Sequence, residues 1–143
     1  MINALSDPPV VVRTPVPDRH RSTTVAEIFG DRYSLQFEPY LYAIAGALSP
    51  EYRGAFWVFH TLSGGGFYQA PDEDQTFEVR CENGYESCMT TDAFGITCCL
   101  YACSHLSFAA NGPIVQVYTH LYHVLREYML SHPEVEEILG AID

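Results

Sequence analysis

The chain has 143 residues, 48% of them hydrophobic, with 10 Tyr, 8 Phe and 1 Trp; that is ample for one domain with a real core and argues against disorder. Its seven basic residues are all arginine, against 18 acids, for a formal charge of −11. Without lysine there is no Schiff-base chemistry and no phosphate-loop lysine, and with only Arg80 and Arg126 against twelve acids in residues 54–143, direct binding to DNA phosphates is disfavoured.

Residues 1–21 hold Pro8, Pro9, Pro15 and Pro17 and are expected to form a proline-rich, partly mobile arm ahead of a single domain over 22–143. Met1–Val12 contains Asp7 and lacks an apolar signal core, and no apolar run approaches the roughly 20 residues of a membrane span. The five cysteines then imply free thiols in a reduced, cytoplasmic setting, away from membranes. Thr24-Val25-Ala26-Glu27 fits a capping box for a short helical turn to Phe29, stopped by Gly30. Pro39 suits a first helical position, and the apolar run Tyr40–Leu48 predicts a short buried helix.

From Arg53 to Leu62 the aromatic and β-branched residues predict a strand, and Phe67–Ala70 predicts another after the Gly64-Gly65-Gly66 turn. Phe77–Glu82 and Tyr85–Thr90 flank Asn83-Gly84, a strong hairpin signal. A two-residue turn there places Val79 opposite Cys88 and gathers Phe77, Val79, Cys81 and Cys88 on the inner face. Cys81 and Cys88 then sit diagonally, at roughly 7–8 Å, so no disulfide is expected between them.

Beyond Asp92 the period becomes helical. Ile96, Leu100, Cys103 and Ser107 mark one helix, ended by Asn111-Gly112. Ile114, Val117, Leu121, Val124 and Tyr128 mark the next. Ser131-His132-Pro133-Glu134 fits a capping box for a last helix. The expected class is α+β: a four-stranded antiparallel meander with short N-terminal helices and three C-terminal helices packed on it.

Few residues suggest catalysis. Cys99 and Cys103 on one helix, with His120 and His123 on the next, are the raw material for a thiol- or metal-dependent enzyme, but no Cys-x-x-Cys pair supports a metal, and buried thiols are the plainer account. Ser104 and His105 are adjacent on a helix and point apart, and there is no Gly-x-Ser-x-Gly elbow. Ser63-Gly64-Gly65-Gly66 lacks the lysine and the helix of a phosphate loop. Tyr40, Tyr42, Phe56, Trp57, Phe59 and Tyr68 have no companion basic patch for nucleic-acid stacking and are assigned to the core. No catalytic residue, cofactor or metal is expected. What remains is acidic surface: Asp72, Glu73 and Asp74 in one cluster, and Glu134, Glu136, Glu137 and Asp143 in another. These are the candidate partner-binding residues.

Several stretches in order carry a resemblance. They are Tyr52-Arg53-Gly54 running into Trp57, Gly65-Gly66-Phe67-Tyr68 before Ala70-Pro71, Asn83-Gly84-Tyr85, and Asp92-Ala93 with Gly95-Ile96-Thr97. Ser104-His105-Leu106-Ser107-Phe108, Leu125-Arg126-Glu127-Tyr128, His132-Pro133 and Ala141-Ile142-Asp143 continue the series. Over roughly residues 22–143 the chain resembles the ArdB/KlcA antirestriction family of plasmids and other mobile elements. The resemblance implies relief of type I restriction-modification of incoming plasmid or phage DNA, without assigned catalytic residues and unlike the duplex mimicry of the unrelated ArdA proteins. It implies as partner the type I enzyme or an associated host factor. The residues agree on mimicry: a duplex carries one charge per about 1.7 Å of axis, whereas these acids lie in two short clusters, too sparse for a full DNA mimic.

Overall fold

The computed structural model describes residues 10–143; the first nine residues of the expected arm lie outside them. In chain order the elements are β1 (Arg13–Pro15), α1 (Arg21–Phe29), a π-helical turn (Tyr33–Phe37), α2 (Glu38–Leu48), β2 (Trp57–Leu62), β3 (Gly66–Pro71), β4 (Thr76–Arg80), β5 (Glu86–Thr90), α3 (Thr91–Ala109), α4 (Ile114–Met129) and α5 (Val135–Ile142). No helix among them is long and apolar enough to cross a membrane.

The α+β class is the one expected, with antiparallel strands ahead of three packed helices. The strand arrangement differs. Instead of one four-stranded meander there are two sheets, β1-β2-β3 and β4-β5. The added strand comes from the proline-rich segment, where Arg13, Thr14 and Pro15 pair with Leu62, Thr61 and His60. A proline suits this edge because it has no N–H to offer the ladder. Arg21 fastens the same segment: its guanidinium lies 3.7 Å from the Phe59 ring centroid and donates to the Trp57 carbonyl at 2.6 Å.

The hairpin register is one residue from the expected one. Glu78 faces Cys88 and Phe77 faces Met89. Cys81 N–H donates to the Tyr85 carbonyl at 2.9 Å, and Gly84 has φ 91°. The loop is therefore three residues, Glu82-Asn83-Gly84, with glycine at the left-handed position. A one-residue shift swaps faces. Met89 is thus buried with Phe77 and Val79, while Cys88 turns outward, and Cys81 and Cys88 are both free thiols.

Around α3 the core closes on nearly every side. Ala93 through Leu100 are all buried, as are Ala102, Cys103 and Leu106. Its first turn is capped by the Thr90 side chain, which accepts from Ala93 N–H. A Cβ on Gly95 would lie 2.5 Å from the Ala70 Cα and the Gln69 carbonyl, so only glycine lets α3 lie this close to β3. On α4 the buried line is Tyr118, Leu121, Leu125 and Met129; of the expected stripe only Leu121 is fully buried, and the other four pack half-buried beside it. Trp57, Phe59 and Tyr68 are core residues as expected, but Phe56 is 54% exposed.

Both expected capping boxes are spent differently. α1 starts earlier than Thr24, at Arg21, after a 3-10 turn over Asp18–His20. Ser131 donates to the Tyr128 carbonyl and leaves α5 without a side-chain cap.

Candidate functional site

The acidic residues form an edge around the β4–β5 hairpin. Asp72, Glu73 and Asp74 are all exposed on the β3–β4 loop. Two residues on, Thr76 pairs with Thr90, and Thr90 holds the second cluster: its N–H donates to Glu134 Oε1 at 3.0 Å and its hydroxyl to Glu134 Oε2. The hairpin thus brings together the start of one cluster and the root of the other. Its outer face adds Glu78 and Glu86, bridged by Arg80 at 2.6 and 3.7 Å. Glu51 joins by accepting from Glu78 N–H at 2.6 Å.

The candidates are not equivalent. Glu134 is held by its bonds to Thr90 and is half-buried, whereas Glu136 and Asp143 are exposed and Glu137 is half-buried. Asp143 has only a loose ion pair, 3.9 Å from Arg126. α5, which carries Glu136 and Glu137, is clamped to its neighbours by Tyr101 Oη donating to the Ala141 carbonyl at 2.6 Å and by Asn83 Nδ2 donating to the Gly140 carbonyl at 3.2 Å. The carboxylates therefore stand on a rigid frame.

Beside this edge lies a polar cluster that the sequence does not reveal. Asp92 accepts from Tyr68 Oη at 2.8 Å and from Arg13 Nη1 at 3.3 Å on one oxygen, and meets His132 Nε2 at 2.8 Å on the other. Partial burial alone would raise the Asp92 pKa, but the bonds from His132 and Tyr68 and the charge of Arg13 outweigh it and hold the carboxyl below its ordinary value. Burial pushes the Tyr68 hydroxyl up, which keeps it a donor. A His–Asp pair suggests general-base chemistry, yet His132 Nδ1 already accepts the Glu134 N–H at 3.0 Å. Both ring nitrogens are engaged, so the imidazole has no free lone pair to take a proton from a substrate. The cluster ties β1, β3, α3 and the α4–α5 turn together.

The four side chains of the thiol or metal alternative are not brought together. Cys99 and Cys103 are buried, and burial raises the Cys99 thiol to about 12, which leaves it unreactive at neutral pH. His120 and His123 are exposed on α4. Among the described residues no three His, Cys, Asp or Glu side chains are placed to hold a metal ion.

Residues 50–143 match the family described as Antirestriction protein. The chain belongs to this family. It is 35% identical over 130 residues to the antirestriction protein KlcA of Escherichia coli, covering 90% of this chain and 92% of KlcA. It is 37% identical over 134 residues to the uncharacterized protein YafX of Escherichia coli K12, covering 91% and 86%. The fold agrees as closely. A solved structure from work on KlcA and ArdB superposes with a TM-score of 0.86 at 32% identity, over 96% of this chain and 98% of the other. Those two proteins are described there as having a novel fold and antirestriction activity against type I DNA restriction systems in vivo but not in vitro. The antirestriction fold thus includes β1 and the polar cluster it pins.

Proposed function

We propose that this chain relieves type I restriction of incoming DNA by protein contact and without catalysis, acting in the cytoplasm through its acidic edge. The observation that carries the reading is the end-to-end likeness to the KlcA/ArdB structure, for which activity is described against type I systems. The site geometry supports contact. The one His–Asp pair is fully hydrogen-bonded, the α3 thiols are sealed, and the exposed carboxylates sit on a braced hairpin and helix.

The same likeness bears on the target. Activity in cells but not in a purified reaction, as described for KlcA and ArdB, is what a protein does when its target is a cellular state or cofactor protein of the restriction enzyme that purification leaves behind. The acidic edge is short and interrupted by Arg80, so it suits a small basic groove on such a partner better than a whole DNA channel.

Phage plating tests the function. Expression of the chain in a host carrying a type I system is expected to raise plating of unmodified phage by about tenfold or more, with no change in a type II host. Unchanged plating in the type I host, with the protein shown to be soluble and folded, contradicts the reading.

A further inference from the structure

Away from the acidic edge, a surface groove follows α4. One part, about 420 Å³, is floored by Ile28 and Val117 beside Glu27. The other, about 450 Å³, is floored by Val11 and Val124 beside Glu127. His120 lines both parts, so they abut at its ring. That ring is fixed by Nε2 donating to the Gly64 carbonyl at 2.7 Å, which pins the β2–β3 turn as one wall.

The charges at the ends decide the occupant. Pro113 lines the part that holds Glu27, and Glu127 lies at the far end of α4. Over those fourteen residues a helix rises about 21 Å, the reach of about six or seven residues of extended peptide. Glu27 and Glu127 are exposed, and neither is in an ion pair among the described residues. No arginine lines either part. The groove is apolar along its floor and anionic at both ends.

We propose that this groove docks an extended segment of a partner protein, about seven residues long, with aliphatic side chains between two basic ends. A second copy of a chain at −11, an acidic peptide or a nucleic acid would meet like charge at both ends. The inference rests on the contact reading only for its biological setting, because binding is measured without any restriction system.

The test uses the full chain, its amide spectrum, and a pool of capped heptapeptides with arginine at both ends and Ala, Val or Leu at the five inner positions. The pool is expected to shift the amides of Val11, Gly64, Gly65, Val117 and Val124 saturably. Glutamate-ended peptides, and the E27Q/E127Q double variant with the arginine pool, are each expected to bind about fivefold more weakly, as two exposed ion pairs would give. The proposal is overturned by no saturable shift up to about 1 mM peptide, by equal affinity for both pools, by shifts confined to the acidic edge, or by the same amides moving on simple dilution, which would assign the groove to a second copy. If the pool binds as expected but the chain leaves plating unchanged, the groove stands and the antirestriction reading falls.

Discussion

α3 and α4 are neighbours of similar composition with opposite duties. Both carry residues with chemical potential, cysteines on α3 and histidines on α4. α3 is closed on nearly every side, and its exposed positions are confined to His105, Phe108 and Ala109 near the C-terminal end. α4 buries one line and leaves Gln116, Thr119, His120, His123 and Glu127 outside. A reactive side chain gains a role only from where the fold places it. On α3, thiols serve as small apolar groups; on α4, imidazoles become walls of a surface. The acidic edge follows the same logic, since Glu134 binds inward and Glu136 outward.

The contrast can be broken most severely at the α3–β3 contact. Gly95→Val drives two methyls into the β3 backbone, and the expected loss is about 3 kcal/mol or more by urea denaturation; a loss below about 0.5 kcal/mol would show that α3 is not tightly seated. Next, Leu100→Ala removes a fully buried side chain and should cost about 3 kcal/mol by the same measurement. An exposed α4 position such as Gln116→Ala should cost under about 0.5 kcal/mol.

Asp92→Asn comes third, because it loses charge-assisted bonds to His132, Tyr68 and Arg13 at a partly exposed site; about 1.5 kcal/mol is expected at neutral pH. Its pH signature is specific. A folded-state pKa below the ordinary 3.8 means the native carboxylate is favoured, so its stabilisation is complete above that value and fades as pH falls through the lowered folded value. The wild type minus Asp92→Asn stability difference should therefore be flat from neutral pH to about 5 and shrink below about 4. A difference independent of pH would remove the charge from the explanation. The smallest effect is that of His120→Ala, about 0.5 kcal/mol for one surface hydrogen bond to Gly64.

How much of this could be read along the chain depended on the range of the forces involved. The apolar character of α3 and the strand–turn–strand pattern around Asn83-Gly84 are local and were visible. The hairpin register was not, because Asn-Gly serves both two- and three-residue loops, and the choice is made by burying Met89 rather than Cys88. β1 was invisible for a related reason: Pro15 argues against a strand, and its pairing partner His60 lies far along the chain. Of the site, the Asp72-Glu73-Asp74 run was plain in sequence. The addition of Glu51 depends on one bond to Glu78 N–H, and the Asp92–His132 pair joins residues forty apart. A His-Pro before the last helix was the only local hint of it.

Contact through the acidic edge is tested most directly by charge removal without loss of fold. Glu134 is left intact because it binds Thr90. One variant carries D72N, E73Q and D74N; another carries E136Q, E137Q and D143N. Phage plating on the type I host, with folding checked by thermal melts, is expected to show about tenfold or greater loss of antirestriction in at least one of them at unchanged melting temperature. Full activity in both would contradict the account and leave the acidity of the edge as a solubility feature.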